Sequence, residues 1–275
     1  MGFFSCGITP SEGVKGPYAD YDTALTALRA DAGASDGDLY QLANDMTFNA
    51  FTSEGPGILI PSDLYDRVSG YVSNVTGASY LTTSDSKTDL TTRGWAVTES
   101  NEGTVTGGEG SAFRCDAGTN IGGSSDSAIL SFTPSSSQTS VLLLVKLQPI
   151  SGTLNGQSYA PGIYTGADQF RVVCTDGSNG SFNVLQSGTT NLSAAIGDIT
   201  ETAATWFVMY CDTTASTNVV YFRRIASAPE ECLSAETSDL PANSNDLVPY
   251  LGCFQGSVGS HTVIDFYEAH TLVTT

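Results

Sequence analysis

The sequence is short of charge, and shorter still of positive charge. Only 14% of its 275 residues are Asp, Glu, Lys or Arg, and ten lysines and arginines face 29 carboxylates, a formal net charge of −19. Binding to nucleic acid through its phosphates needs a lysine and arginine surface, so no nucleic-acid partner is expected. An anionic membrane surface is disfavoured for the same reason. No apolar run approaches the roughly 18 residues of a membrane span. The longest, SVLLLVKL at 140–147, has the length of a strand, and no membrane insertion is expected. The six cysteines contain no CxxC pair and the two histidines are His261 and His270, so neither a structural zinc site nor any other cofactor is expected. The N-terminus, MGFFSCGITP, lacks a basic n-region and a long apolar run and is not read as a secretory signal. No repeat period and no phosphate loop before a helix is visible; GTVTGGEGS reads as a turn in a β region. The acidity itself serves solubility or calcium binding.

Gly, Ser and Thr fill much of what charge leaves, a composition that favours strands and turns. One good helical pattern exists. In DYDTALTALRADA (20–32) Tyr21, Ala24, Leu25 and Leu28 recur at three and four, Asp20 can cap the start and Gly33 can end it. Residues 36–51 supply apolar sites in short extended pieces, and a single helical turn fits after Pro61. The polar stretch TTSDSKTDLTTRG (82–94) reads as a linker, which divides the chain into an attachment segment, 1–85, and a β domain, 86–275. From Trp95 onward ten strand signals follow in quick succession, parted by turn dipeptides such as Asn155-Gly156 and Asp176-Gly177. The fold class expected is all-β: a two-sheet antiparallel jelly-roll sandwich with a small N-terminal α+β segment.

The run TWFVMYC (205–211) is apolar on both parities. Trp206, Val208 and Tyr210 are expected to face the core, which leaves Phe207 and Met209 to be covered by the N-terminal segment or a second subunit. Cys115, Cys174 and Cys211 each end a strand-like run and read as buried thiols, and a Cys232–Cys253 bridge is conceivable.

TWFVMYCDTTASTNVVYFRRI resembles the paired strands of concanavalin-like and laminin-G-like jelly rolls. YLGCFQGSVGSHTVIDFYEAHTL resembles the last two strands of such modules, and the likeness covers roughly residues 95–275. Separately, ASDGDLYQLANDMTFNAF and GILIPSDLYDRV resemble adaptor segments of bacteriophage tail-fibre and other virion proteins. Glycan-cleaving relatives of the jelly roll carry Glu-x-Asp-x-x-Glu on one strand. That motif does not occur here. Glu99 and Glu102, like Asp265 and Glu268, are three apart, and on a regular strand such pairs point to opposite faces. Retaining cleavage needs two carboxyl groups about 5–5.5 Å apart. No GxSxG elbow exists, and His261 and His270 read as strand surface residues.

Two binding features stand out. LNGQSYAPGIYTGAD places Tyr159 and Tyr164 in a loop where their rings could stack on sugar or pack on the sandwich edge or a neighbouring subunit. CTDGSNGS offers Asp176 and Asn179 as oxygen ligands for calcium, or as plain turn residues. Together with the resemblance, these imply a non-enzymatic bacteriophage virion protein: a fibre, spike or capsid decoration, assembled in the host cytoplasm. Its partners would be other virion proteins and a host surface glycan, and its state a homo-oligomer, a trimer first. The alternatives are a carbohydrate-binding lectin module and a glycan-cleaving enzyme.

Overall fold

The structure is a computed structural model. It describes residues 13–53, 55–65, 75–118, 127–132, 138–150, 158–165, 168–174, 180–186, 189–195, 203–213, 218–225, 232–237, 247–254 and 263–274. The chain forms two compact units, one of residues 1–74 with 227–229 and the other of 75–226 with 230–275.

In the first unit, strands β1 (Val14–Tyr18), β2 (Leu39–Leu42), β3 (Thr47–Phe51) and β4 (Ile58–Pro61) form one sheet in that order, β1 parallel to β2 and the rest antiparallel. Helix α1 (Tyr21–Ala30) starts where expected: the Asp20 carboxylate accepts from Thr23 N at 2.8 Å. Its buried face is Tyr21, Ala24, Leu25 and Leu28. Tyr21 meets Phe48 edge-on at 5.2 Å and donates its hydroxyl to the Leu59 carbonyl at 2.7 Å. A helical turn does follow Pro61, at 62–65. Lys15 ties the unit's turns together through Asp31 at 2.7 Å and Asp38 at 2.8 Å.

The second unit is the expected sandwich. One sheet has eight strands, in the order β17 (Cys232–Thr237), β16 (Asn218–Ile225), β15 (Thr205–Asp212), β10 (Ser140–Pro149), β19 (Val263–Thr274), β8 (Ser111–Asp116) and β7 (Thr104–Gly108), with β5 (Gly77–Thr82) also on β19. The other has seven: β14 (Thr189–Ala195), β13 (Gly180–Gln186), β12 (Asp168–Cys174), β11 (Ser158–Thr165), β18 (Val248–Phe254), β9 (Ser127–Phe132) and β6 (Trp95–Ser100). All pairings in both sheets are antiparallel. The core between them includes Val141, Leu143, Val145, Phe207, Met209, Phe222, Phe266 and Ala269 from the long sheet, and Trp95, Leu130 and Leu251 from the other.

Two expectations are corrected here. It is Phe207, Met209 and Cys211 that enter the core; Trp206, Val208 and Tyr210 stand on the opposite face of the sheet, and are buried there as well. Parity alone could not choose between two apolar faces. The stretch 82–94 is not a linker. It is a folded bracket: a turn at 82–85, then helix α2 (Lys87–Thr92), opened by a capping box in which Ser86 and Asp89 satisfy each other's backbone amides. Its polar residues are spent on one another, which is why it looks like a surface loop in sequence. Asp85 anchors it, gripping Arg93 with both oxygens at 2.6 and 2.8 Å and accepting from Thr82 N at 2.7 Å. Gly108, at φ +81°, lets the β7–β8 hairpin lie against the Asp85 backbone where a side chain would collide.

Burial works to raise the Asp85 carboxyl, but hydrogen bonds from Arg93 and Thr82 outweigh it and hold it below the ordinary value. A depressed carboxyl contributes stability that is full above its unfolded value, about 3.9, and is lost as pH falls through the folded one. Asp85→Asn is expected to cost about 1–3 kcal/mol at pH 7 by leaving Arg93 without its carboxylate. Urea unfolding checks it, and the difference from the wild type should shrink below about pH 4. A fragment of residues 75–275 is expected to fold alone, which circular dichroism and a cooperative melt would verify.

Candidate functional site

Strand β19 carries the site. Its pairing with β10 slips once: Asp265 lies opposite Gln148 and Phe266 opposite Leu147, but Glu268 lies opposite Lys146. Tyr267 is therefore an extra residue, a β-bulge. The bulge sits where β19 changes its other partner, from β8 along 263–266 to β5 along 268–273. Its effect is to reset the alternation. Phe266 and Ala269 both point into the core, while Asp265 and Glu268 both stand on the outer face of the long sheet. Their partners Gln148 and Lys146 are two apart on β10, so the two residues stand about 7 Å apart along the strand, backbone to backbone. The expectation that they face opposite ways is corrected: it assumed a regular strand.

Each carboxylate has its own partner. Asp265 accepts two bonds from Arg114 on β8, Nε at 2.7 Å and Nη2 at 2.8 Å, with the carboxylate nearly buried and the Arg114 side chain 44% exposed. Asp265 therefore lies in a two-bonded fork on the Arg114 guanidinium. Glu268 Oε1 is 2.6 Å from His270 Nε2, and the side chains are 14% and 4% exposed. His270 is thus no surface residue. The bulged Tyr267 turns outward too and donates its hydroxyl to Gln148 at 2.9 Å. Lys146, in register with both Glu268 and Trp206, lies 5.8 Å from the Trp206 ring. Toward the other end the face becomes apolar and buried through Leu144, Val208, Leu142 and Leu272, and ends at Asp212. Asp212 accepts from Tyr210 at 3.2 Å and Ser140 at 3.0 Å, and burial followed by the Asp212 charge pushes the Tyr210 hydroxyl well above its usual range.

The face thus has a half-open polar end of Arg114, Asp265, Tyr267, Glu268, Gln148 and Lys146, and a closed apolar end. Of the pattern Glu-x-Asp-x-x-Glu, the chain has Asp265 and Glu268 at the second and third carboxylates; Val263, buried, stands at the first. Arg114→Ala should leave the nearly buried Asp265 side chain without its two hydrogen bonds, at a cost of about 1–3 kcal/mol measurable by denaturant unfolding.

The other candidates fare differently. Glu99 is held by structural bonds, from Val105 N at 2.7 Å and Lys87 at 3.2 Å. Tyr159 and Tyr164 stand on strand β11 of the seven-stranded sheet, not in a loop, opposite Val173 and Gln169; their side chains lie outside the described residues. Asp176, Asn179 and His261 also lie outside them. Among the described residues no cluster of His, Cys, Asp and Glu suits a metal ion. Cys253 is a free buried thiol whose Sγ donates to the Cys115 carbonyl at 3.2 Å, so it is not bridged to Cys232. Burial pushes the Cys115, Cys211 and Cys253 thiols up, as expected of thiols that behave as small hydrophobes. No helix among the described residues is long and apolar enough to cross a membrane.

No protein-family model and no curated protein matches the chain. Solved structures do. The Crh5 transglycosylase in complex with NAG is similar over 74% of this chain and 86% of its own, at 10% identity and a TM-score of 0.52. An endo-1,3-beta-glucanase from Streptomyces sioyaensis is similar over 73% and 98%, at 11% identity and 0.49. A carbohydrate esterase from the Shiga toxin-encoding bacteriophage phi24B is similar over 72% and 100%, at 14% identity and 0.46. At these identities the likeness establishes the fold alone, a two-sheet antiparallel jelly-roll sandwich. The expectation of a non-enzymatic chain is corrected: its ground was the lack of a same-face carboxylate pair, and that pair is present, on a fold shared with a transglycosylase.

Proposed function

We propose that this jelly roll binds a polysaccharide across the polar end of its eight-stranded sheet and cleaves it, with Glu268 as general acid. The observation that carries the reading is the Tyr267 bulge, which sets Asp265 and Glu268 side by side and leaves His270 on Glu268. Glycosidic cleavage needs one carboxyl group that can give a proton and one that stays ionised. Glu268 and His270 share hydrogen-bonding contact through which one proton can be held, and a bound sugar that excludes water favours the uncharged form of the pair, Glu268 protonated and His270 neutral. Glu268 then passes its proton to the glycosidic oxygen as the bond to the anomeric carbon breaks. Asp265, oriented by its two bonds from Arg114, takes a proton from the water that adds to that carbon.

Val263 stands where the pattern has its first carboxylate, so no third carboxylate is at hand there to form a covalent intermediate, and water attacks the anomeric carbon directly. A single displacement of this kind gives the inverted anomer. This is the glycan-directed alternative drawn from the sequence. It takes precedence over a purely structural role in a virion because the site's chemistry supports it. The test is a digest of β-1,3-glucan, mixed-linkage β-glucan and N-acetylglucosamine oligomers, followed by proton NMR of the first product. Binding without released sugar would leave a lectin-like module; neither binding nor release would end the reading.

A further inference from the structure

Behind the Glu268–His270 pair lies a device that the cleavage chemistry does not itself use. Tyr80, on β5, is directly opposite His270 on β19. The two rings stack at 6.1 Å with 23° between their planes. The Arg93 guanidinium lies 4.0 Å from the centre of the Tyr80 ring, and its Nη1 donates to the Tyr80 carbonyl at 3.3 Å. Arg93 cannot wander, because Asp85 grips it with both carboxylate oxygens. Asp85 in turn fixes the backbone of Thr82, the residue opposite Glu268. The bracket 77–94 therefore touches both members of the pair, His270 through a ring face and Glu268 through its register neighbour.

We infer that Tyr80 is a positioning residue, whose ring, clamped by Arg93, holds the His270 imidazole edge-on to Glu268 so that the pair's proton lies on the Nε2–Oε1 line. The inference rests on Glu268 being the proton donor for its consequence in turnover, though the ring geometry can be tested without turnover. The imidazole turns about two side-chain torsions, and a hydrogen bond at Nε2 sets the position of that atom more than the plane of the ring. A stacked aromatic face removes the remaining freedom, and a guanidinium on that face adds attraction without a covalent tie.

The test uses the full chain labelled with nitrogen-15 in its histidines, of which there are two. In the wild type the His270 ring, identified by the loss of its signals in His270→Gln, should show a fixed tautomer. Tyr80→Leu should move those signals toward the averaged values of a freely exchanging imidazole, and Tyr80→Phe should restore them. Arg93→Lys, which keeps the charge but loses the planar fork, should give an intermediate result and guards against misfolding of the leucine variant. With a cleavable substrate, Tyr80→Leu should lower kcat about tenfold or more with KM within about twofold, the mark of lost proton-transfer geometry rather than lost binding. Unchanged His270 signals in folded Tyr80→Leu would overturn the inference, whatever the enzyme does. Altered His270 signals in a protein that cleaves nothing would uphold the positioning and sink the cleavage reading alone.

Discussion

Glu268→Gln should lower kcat for polysaccharide cleavage by about 10²–10⁴-fold, the usual contribution of a positioned acid. Glutamine keeps the shape of the side chain and can still meet His270, but it has no acidic proton to give. Substrate affinity, read by calorimetry, should stay within about twofold, because Lys146, Gln148 and Tyr267 are untouched. The kinetic split matters more than the size of the fall. A variant that lost affinity and kcat together would point to Glu268 as a sugar ligand. A variant that turned over at the wild-type rate would remove it from the chemistry. The pH profile carries a sign as well: the acid must hold its proton, so the wild-type rate should fall as pH rises and the pair gives that proton up.

Phe207→Ala is expected to destabilise the chain by about 3–5 kcal/mol, the largest stability effect of any single change considered. Phe207 has no exposed surface and stacks on Phe222 at 5.9 Å between the two sheets, where the hole left behind cannot fill with water. For a chain of this size that corresponds to a fall in melting temperature of roughly 6–20 °C. Differential scanning calorimetry measures it. A change under about 1 kcal/mol would mean that the core assignment of Phe207, Met209 and Cys211 is wrong and that the Trp206 face is the inner one.

How far the site was legible can be judged from β19. The letters DFYE were visible, and were read as two carboxylates on opposite faces of a regular strand. What they could not reveal was the bulge. Nothing in Asp-Phe-Tyr-Glu requires an extra residue at Tyr267; the slip arises because β19 exchanges β8 for β5 there, and both strands lie far away in sequence. One signal was available: a three-residue spacing in the pattern of the glycan-cleaving jelly rolls already implies a bulge, since an unbroken strand would need an even spacing. The bracket 82–94 was missed for a related reason. Its Asp, Ser and Arg residues look solvated until Asp85 meets Arg93 and Ser86 meets Asp89.

By itself the sequence determined what depends on near neighbours. Helix α1 follows from the three-and-four spacing of Tyr21, Ala24, Leu25 and Leu28 behind an Asp cap. The class of fold follows from dense strand and turn signals with so little charge. Those features act over a few residues, and local sterics and patterning suffice to set them. Only the tertiary structure decided which of two apolar faces of TWFVMYC became the core, and which side of the sheet Glu268 took. Both depend on register between strands more than a hundred residues apart for β19 and β8, where a shift of one residue turns every side chain to the other face.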